Sequence, residues 1–355
     1  MLLDFIRSEL AALERDGLVR RPRVIDRVRG PFVTVEGRDV LSFCSNDYLG
    51  IGQDPRLLEA ARKVEAWGSG SSRSLSGTTR WHARLEEAIA EFKRAPAALL
   101  FPSGFTANLG LVSTIADRET RIAADELNHA SLIDACRLSR ARVEVYSHRD
   151  AAAAARALEG DEKRKFLLTD TVFSMDGDLA PLEALRGLGA DLVVDDVHGL
   201  GVFGPDGRGT TDVPIQTGNL AKAAGSAGGF VVGPRELIEL LRSKARSFLF
   251  TTAPPPALCA AGIEALRLVR EASEPRRRLR EHIRRLGAES PIRSVVLGSN
   301  EAALAASGRL WELGFLVPAV RPPAVAPGTA RLRITVTAMH EPAHVEALLD
   351  ALEKI

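Results

Sequence analysis

One lysine stands out in this chain for the lack of bulk around it. The run Gly218-Asn219-Leu220-Ala221-Lys222-Ala223-Ala224-Gly225-Ser226-Ala227-Gly228-Gly229 sets Lys222 among small residues, where a flat carbonyl compound could lie directly against its amine. Water-poor surroundings disfavour the ammonium form and leave a nucleophilic amine accessible near neutral pH. Upstream runs Asp191-Leu192-Val193-Val194-Asp195-Asp196-Val197-His198. A carboxylate at the end of its apolar stretch, Asp195 or the neighbouring Asp196, could pair with a protonated pyridine nitrogen and strengthen the ring as an electron sink. Two adjacent acids could also begin a metal site, but no suitable set of further ligands accompanies them. Lysine and acid together point to pyridoxal 5'-phosphate (PLP) as cofactor. His198 could then reach the cofactor's phenolic oxygen, and His129 could stack on its ring.

Other residues admit two readings each. Ser103-Gly104-Phe105-Thr106 follows an apolar run and opens a helical one. The unpaired N–H groups of a helix start attract an anion such as a phosphate, and Gly104 would let it come close. The same four residues also describe an ordinary capped turn. Arg331-Leu332-Arg333-Ile334-Thr335-Val336-Thr337 alternates with period two, placing Arg331 and Arg333 on one face of a strand. That face could capture a carboxylate bidentately, or could carry two surface cations. His82 reads as structural, and the arginine-rich run 275–285 as a solvated helix face.

These residues need elements to position them. Short apolar strands at 97–101, 121–124, 143–146, 165–169 and 192–194 alternate with helices at 106–115, 130–138 and about 182–188. Strands apolar on both faces imply a mainly parallel sheet with helical cover. In such sheets ligands gather beyond the carboxyl ends of the strands, and Ser103, His129, Ser174 and Asp195 all fall just after one. The fold class is therefore α/β. A three-part division follows: an N-terminal helix and β segment over 1–45, a large domain over 46–272, and a small α+β domain over 273–355. The last has strands at 294–297, 315–317 and 332–336, a helix at 301–313 and a final helix. Lys+Arg of 47 against Asp+Glu of 46 gives a net charge of +1, which offers no general attraction for nucleic acid. Three scattered cysteines and a charged N-terminus imply a reducing, cytoplasmic setting with no signal peptide and no membrane span.

Taken in order, the motifs resemble the α-oxoamine synthases, PLP enzymes of the aspartate-aminotransferase fold (fold type I) that join an amino acid to an acyl thioester with loss of carbon dioxide. The resemblance is carried by Asn46-Asp47-Tyr48-Leu49-Gly50, Gly68-Ser69-Gly70-Ser71-Ser72-Arg73 with Ser76-Gly77, and His82 to Leu85-Glu86. It continues through Ser103-Gly104-Phe105, Leu127-Asn128-His129-Ala130-Ser131, Phe173-Ser174-Met175-Asp176-Gly177-Asp178, Asp195-Asp196-Val197-His198-Gly199 and the Lys222 loop. The segment from Arg321-Pro322-Pro323 to Arg333 resembles the family's biotin-pathway member, as does Ala245-Arg246-Ser247-Phe248 with Thr251-Thr252-Ala253-Pro254. That member condenses L-alanine with a pimeloyl thioester of coenzyme A or acyl carrier protein.

The resemblance implies roles residue by residue. Lys222 would hold PLP covalently, Asp195 would pair with its ring nitrogen, and His129 would stack on the ring. Ser174 and His198 would contact the phenolic oxygen, with Gly104, Phe105 and Asn219 at the phosphate end. Thr251 of a second copy would also reach the phosphate, which implies a homodimer with shared sites. Asn46 and Arg333 would bind the amino-acid carboxylate, and Arg20 and Arg321 the acyl substrate. No metal is implied. The chain departs from the family pattern at Asn219 and Ala324, where threonines are usual, at Ser71, where a second glycine is common, and in a short connection between Asp178 and Asp195. Rival expectations are a sister enzyme using glycine with another acyl thioester, and a subunit without catalysis of its own.

Overall fold

The computed structural model describes residues 1–355, which fall into two compact units. The larger comprises Asp47–Ser174 and Leu179–Arg277. Its seven-stranded sheet runs, edge to edge, Ala97–Phe101, Gly229–Gly233, Ile215–Asn219, Asp191–Asp195, Arg164–Asp170, Thr120–Asp125 and Arg142–Tyr146. Only Gly229–Gly233 is antiparallel to its neighbours; every other pairing is parallel. The continuous apolar runs are explained by two cores, one on each face. Ile122, Leu168 and Val193 pack into one, while Ala123, Leu167, Leu192 and Val194 pack into the other. Alternate residues of a strand point to opposite faces, so both must be apolar where helices cover both sides.

The helices lie where the periodicity set them, with shifts at their ends. The helix expected from residue 106 begins at Gly104, because Ser103 caps it by accepting the Thr106 N–H at 3.2 Å. The helix expected to reach 188 ends at Arg186, shortly before a glycine with positive φ at 189. The basic run lies in a helix, Ser273–Leu286, with Arg277, Arg280 and Arg284 exposed. Arg276 is the exception. It is buried and donates to the Val269 and Arg270 carbonyls at the end of the preceding helix, Pro256–Glu271.

The smaller unit joins Met1–Asn46, Met175–Asp178 and Arg278–Ile355. The N-terminal segment is therefore packed with the C-terminal residues rather than standing as a separate piece. The reason is strand pairing: Phe315–Leu316 lies parallel to Arg38–Ser42 and extends the N-terminal antiparallel strands. A second sheet sets Ala330–Thr335 between Ile292–Gly298 and Ala319–Val320. The three cysteines are free thiols, and burial pushes those of Cys136 and Cys259 up to about 12. No helix is long and apolar enough to cross a membrane.

Candidate active site

Five chain segments of the larger unit line one cavity of about 240 Å3, and three of them bring the helix start, the acid and the lysine. The first is the start of helix Gly104–Ile115. Ser103 takes the Thr106 N–H on its hydroxyl and the Ala107 N–H on its carbonyl. The N–H groups of Gly104 and Phe105, first in the helix, have no intrahelical acceptor and face an anion's natural position. The second segment is the end of strand Asp191–Asp195 with its following turn. The third is the loop from Asn219 to Gly229, which joins two antiparallel strands and carries Lys222.

Small residues in that loop are a requirement of packing. A Cβ on Gly229 would strike the Ser103 carbonyl, and one on Gly225, where φ is +64°, would strike the backbone of Gly52. The loop is thus seated against the helix start, and Lys222 is held above it. Lys222 Nζ lies 2.6 Å from His198 Nε2. Asn219 Oδ1 accepts the Ala221 N–H at 2.6 Å, which turns its Nδ2 toward Gly104.

The two acids separate cleanly. Asp195 lines the cavity, 4 % exposed, accepting from Asn108 Nδ2 at 2.7 Å and from the Val197 N–H at 2.9 Å. Asp196 points away, into an ion pair with Lys93 at 2.8 Å, and also accepts from Thr171 Oγ1 and the Thr210 N–H. Of the two, only Asp195 lines the cavity, while Asp196 is spent on Lys93, Thr171 and Thr210.

A polar network steadies Asp195. Asn108 also donates to Ser131 Oγ at 2.8 Å and accepts from Thr217 Oγ1 at 2.7 Å, while Ser131 Oγ lies 2.7 Å from His129 Nδ1. His129 is exposed on the open side, yet crowding of its ring by the cavity walls lowers its pKa. The charge of Lys222 adds to that fall, and Asp195 opposes it. The imidazole is therefore neutral at pH 7. Asp170, the register partner of Asp195 on the next strand, accepts the His129 N–H at 2.7 Å. Full burial, reinforced by the Asp195 charge, raises its pKa well above the carboxylate range.

Of the residues expected at the cofactor, Gly104, Phe105, His129, Asp195, His198, Asn219 and Lys222 all line this cavity. Ser174 and Thr251 do not. Asn108, Ser131 and Asp170 belong to it and were given no role by the sequence. Asp170 had the same signal as Asp195, an acid ending an apolar strand. A larger cavity of about 700 Å3 in the same unit is walled mainly by apolar groups such as Leu57, Leu58, Trp67 and Ala261. Its size is greater, but the lysine, acid and helix start converge on the smaller one.

In the smaller unit, Arg331 and Arg333 are both buried, which discards the surface-cation reading. Arg331 forms an ion pair with Asp176, whose carboxylate also accepts from Ser294 Oγ at 2.8 Å. Arg333 instead donates to Thr335 Oγ1 at 3.0 Å and to Asn46 Oδ1 at 3.2 Å. The two residues expected to share a carboxylate are thus neighbours. Arg20 and Arg321 are also together: Arg20 Nη2 donates to the Arg321 and Pro322 carbonyls at 3.1 and 2.8 Å.

Comparison with known proteins agrees over nearly the whole length. Residues 38–352 match the family described as aminotransferase class I and II. The 8-amino-7-oxononanoate synthase of Methylococcus capsulatus is 46 % identical, covering 97 % of this chain and 96 % of that protein. A solved structure of SPT with PLP as its internal aldimine superposes with a TM-score of 0.93 at 29 % identity, over 100 % of this chain and 98 % of that one. The 8-amino-7-oxononanoate synthase of Francisella tularensis superposes with a TM-score of 0.80 at 28 % identity, over 89 % and 97 %.

Proposed function

From the premise that the chain belongs to the class I and II aminotransferase family, and within it to the α-oxoamine synthases, we propose that it is a PLP-dependent acyltransferase of biotin biosynthesis. It condenses L-alanine with a pimeloyl thioester to give 8-amino-7-oxononanoate, carbon dioxide and the free thiol carrier. One observation carries this reading: Lys222, Asp195 and an anion-ready helix start line a single cavity.

The cavity's chemistry fits PLP. The N–H groups of Gly104 and Phe105, with Asn219 and with Thr251 of a second copy, would hold the phosphate. Buried Asp195 would take the ring nitrogen, neutral His129 the ring face, and His198 the phenolic oxygen. When bound, PLP supplies an electron-poor ring that stabilises negative charge developing at the amino acid's α-carbon.

The chain's own residues do the rest. Arg333, positioned by Asn46, binds the alanine carboxylate through charge-assisted hydrogen bonds. Asn108 donates to Asp195 and fixes the carboxylate at the cavity wall, where it would accept from the ring nitrogen. Lys222 Nζ removes the α-proton and later returns it. The α-carbon then attacks the thioester carbonyl; the new C–C bond forms as the C–S bond breaks and the thiol carrier leaves. Loss of the original carboxylate as carbon dioxide follows, and Lys222 reprotonates the same carbon. Arg20 and Arg321 bind the acyl substrate. The working form is a homodimer in the cytoplasm.

The test is a product assay on the protein loaded with PLP, crossing alanine, serine and glycine with pimeloyl-CoA, pimeloyl-acyl carrier protein and acetyl-CoA. Formation of 8-amino-7-oxononanoate from alanine alone is the expected result. Product only from glycine and the short thioester would replace this reading with a sister enzyme.

A further inference from the structure

Tyr48 stands in the Asn46-Asp47-Tyr48-Leu49-Gly50 segment, and none of the roles above uses its hydroxyl. The side chain is 0 % exposed. Its hydroxyl oxygen lies 2.6 Å from His198 Nδ1, and His198 Nε2 lies 2.6 Å from Lys222 Nζ. The imidazole is thus addressed at both nitrogens, one from the interior and one from the cavity.

A neutral imidazole carries a single N–H, so the partner of one nitrogen fixes what the other can do. A phenol donates a hydrogen bond more readily than it accepts one. With the Tyr48 O–H given to Nδ1, the ring hydrogen must sit on Nε2. Nε2 then faces the cavity as a donor, ready for an oxygen anion of a bound cofactor. The opposite tautomer would present a lone pair, which cannot contact an oxygen anion and would favour the charged ammonium of Lys222 instead. Packing alone does not account for a hydroxyl here, since phenylalanine would fill the same space.

We propose that Tyr48 is a positioning residue that, in the PLP-loaded protein, holds His198 in its Nε2–H form, so that the imidazole offers a hydrogen to the cavity's phenolic-oxygen position. The proposal rests on the function proposed above, because a bound cofactor's phenolic oxygen is the acceptor that the Nε2 hydrogen serves.

The experiment is long-range proton–nitrogen NMR on protein labelled in its histidines, recorded with and without PLP, with the His198 signal assigned by its loss in His198→Gln. The PLP-loaded wild type should show His198 neutral and protonated on Nε2. Tyr48→Phe should shift it toward a mixture of tautomers and alter the visible absorption of the PLP-loaded protein. It should lower kcat about tenfold, as loss of one hydrogen bond implies, with KM for alanine changed little. A PLP-loaded wild type with His198 protonated on Nδ1 overturns the proposal, even if Tyr48→Phe fails to fold. So does a folded Tyr48→Phe with unchanged tautomer and absorption. Failure of the functional reading would look different: the PLP-loaded protein would keep the tautomer and absorption described but give no 8-amino-7-oxononanoate.

Discussion

The larger unit contains two lysine–aspartate regions built from adjacent acids, and they are put to opposite uses. Lys93 and Asp196 are each 1 % exposed. The ammonium meets the Asp196 carboxylate and the carbonyls of Arg208 and Thr210, one acceptor for each of its three hydrogens. Its charge is matched and its donors are spent. Asp195 and Lys222 instead line a cavity. Asp195 is held by an amide and a backbone N–H, and Lys222 Nζ meets an imidazole nitrogen. Completing every bond around a buried pair makes a structural fixture. Supporting a charged group with neutral partners at a cavity wall keeps it available for a ligand.

Removing each lysine is the strongest way to break the comparison. Lys222→Ala should abolish condensation, a loss of about a thousandfold or more, the range expected when a group moving the proton is removed. Its melting temperature should stay near that of the wild type. Lys93→Ala should do the reverse, costing about 3–5 kcal/mol of stability in urea titration because Asp196 is left buried without its counter-charge. The two acids sharpen the contrast. Asp195→Asn should fold normally and slow exchange of the alanine α-proton, followed by NMR in heavy water, by about a hundredfold, as expected when a preorganised charge is lost. Asp196→Asn should lose stability and keep that exchange once folded.

A smaller effect separates the arginines of the other unit. Arg333→Ala should weaken alanine binding, titrated spectroscopically without thioester, by about 1.5–3 kcal/mol for a charged hydrogen bond. Arg321→Ala should leave that titration nearly unchanged and raise the thioester concentration needed for saturation. Equal loss in both would remove the division of roles. The smallest change expected is at Asn219→Thr. Because its amide is pinned by the Ala221 N–H and turned toward Gly104, PLP affinity by equilibrium dialysis should move by less than about 1 kcal/mol, one neutral donor replacing another.

Residues at the ends of apolar runs were legible before any coordinates, because a strand's exit is a local event. Asp195, His129 and the Ser103-Gly104 turn stand out this way, whereas Lys222 stands out by the small residues around it. The strand Ala330–Thr335 was equally plain, but alternation could not distinguish Arg331 from Arg333. Their difference lies in Asp176, which belongs to a distant segment. Asn108 escaped for a related reason. It is one buried polar residue on a largely apolar helix, and its three partners come from three other segments. The joining of the N-terminal strands to the C-terminal part was hidden too, since pairing of Phe315–Leu316 with Arg38–Ser42 is a long-range choice that periodicity does not encode.

The central claim is that Lys222, and no other lysine, carries the cofactor's chemistry. Borohydride reduction of the PLP-loaded protein, followed by peptide mapping by mass spectrometry, tests it directly. The account predicts loss of the yellow colour and a single pyridoxyl group fixed on Lys222. A stable label on a different lysine, or colour that borohydride does not fix to the chain, would contradict it.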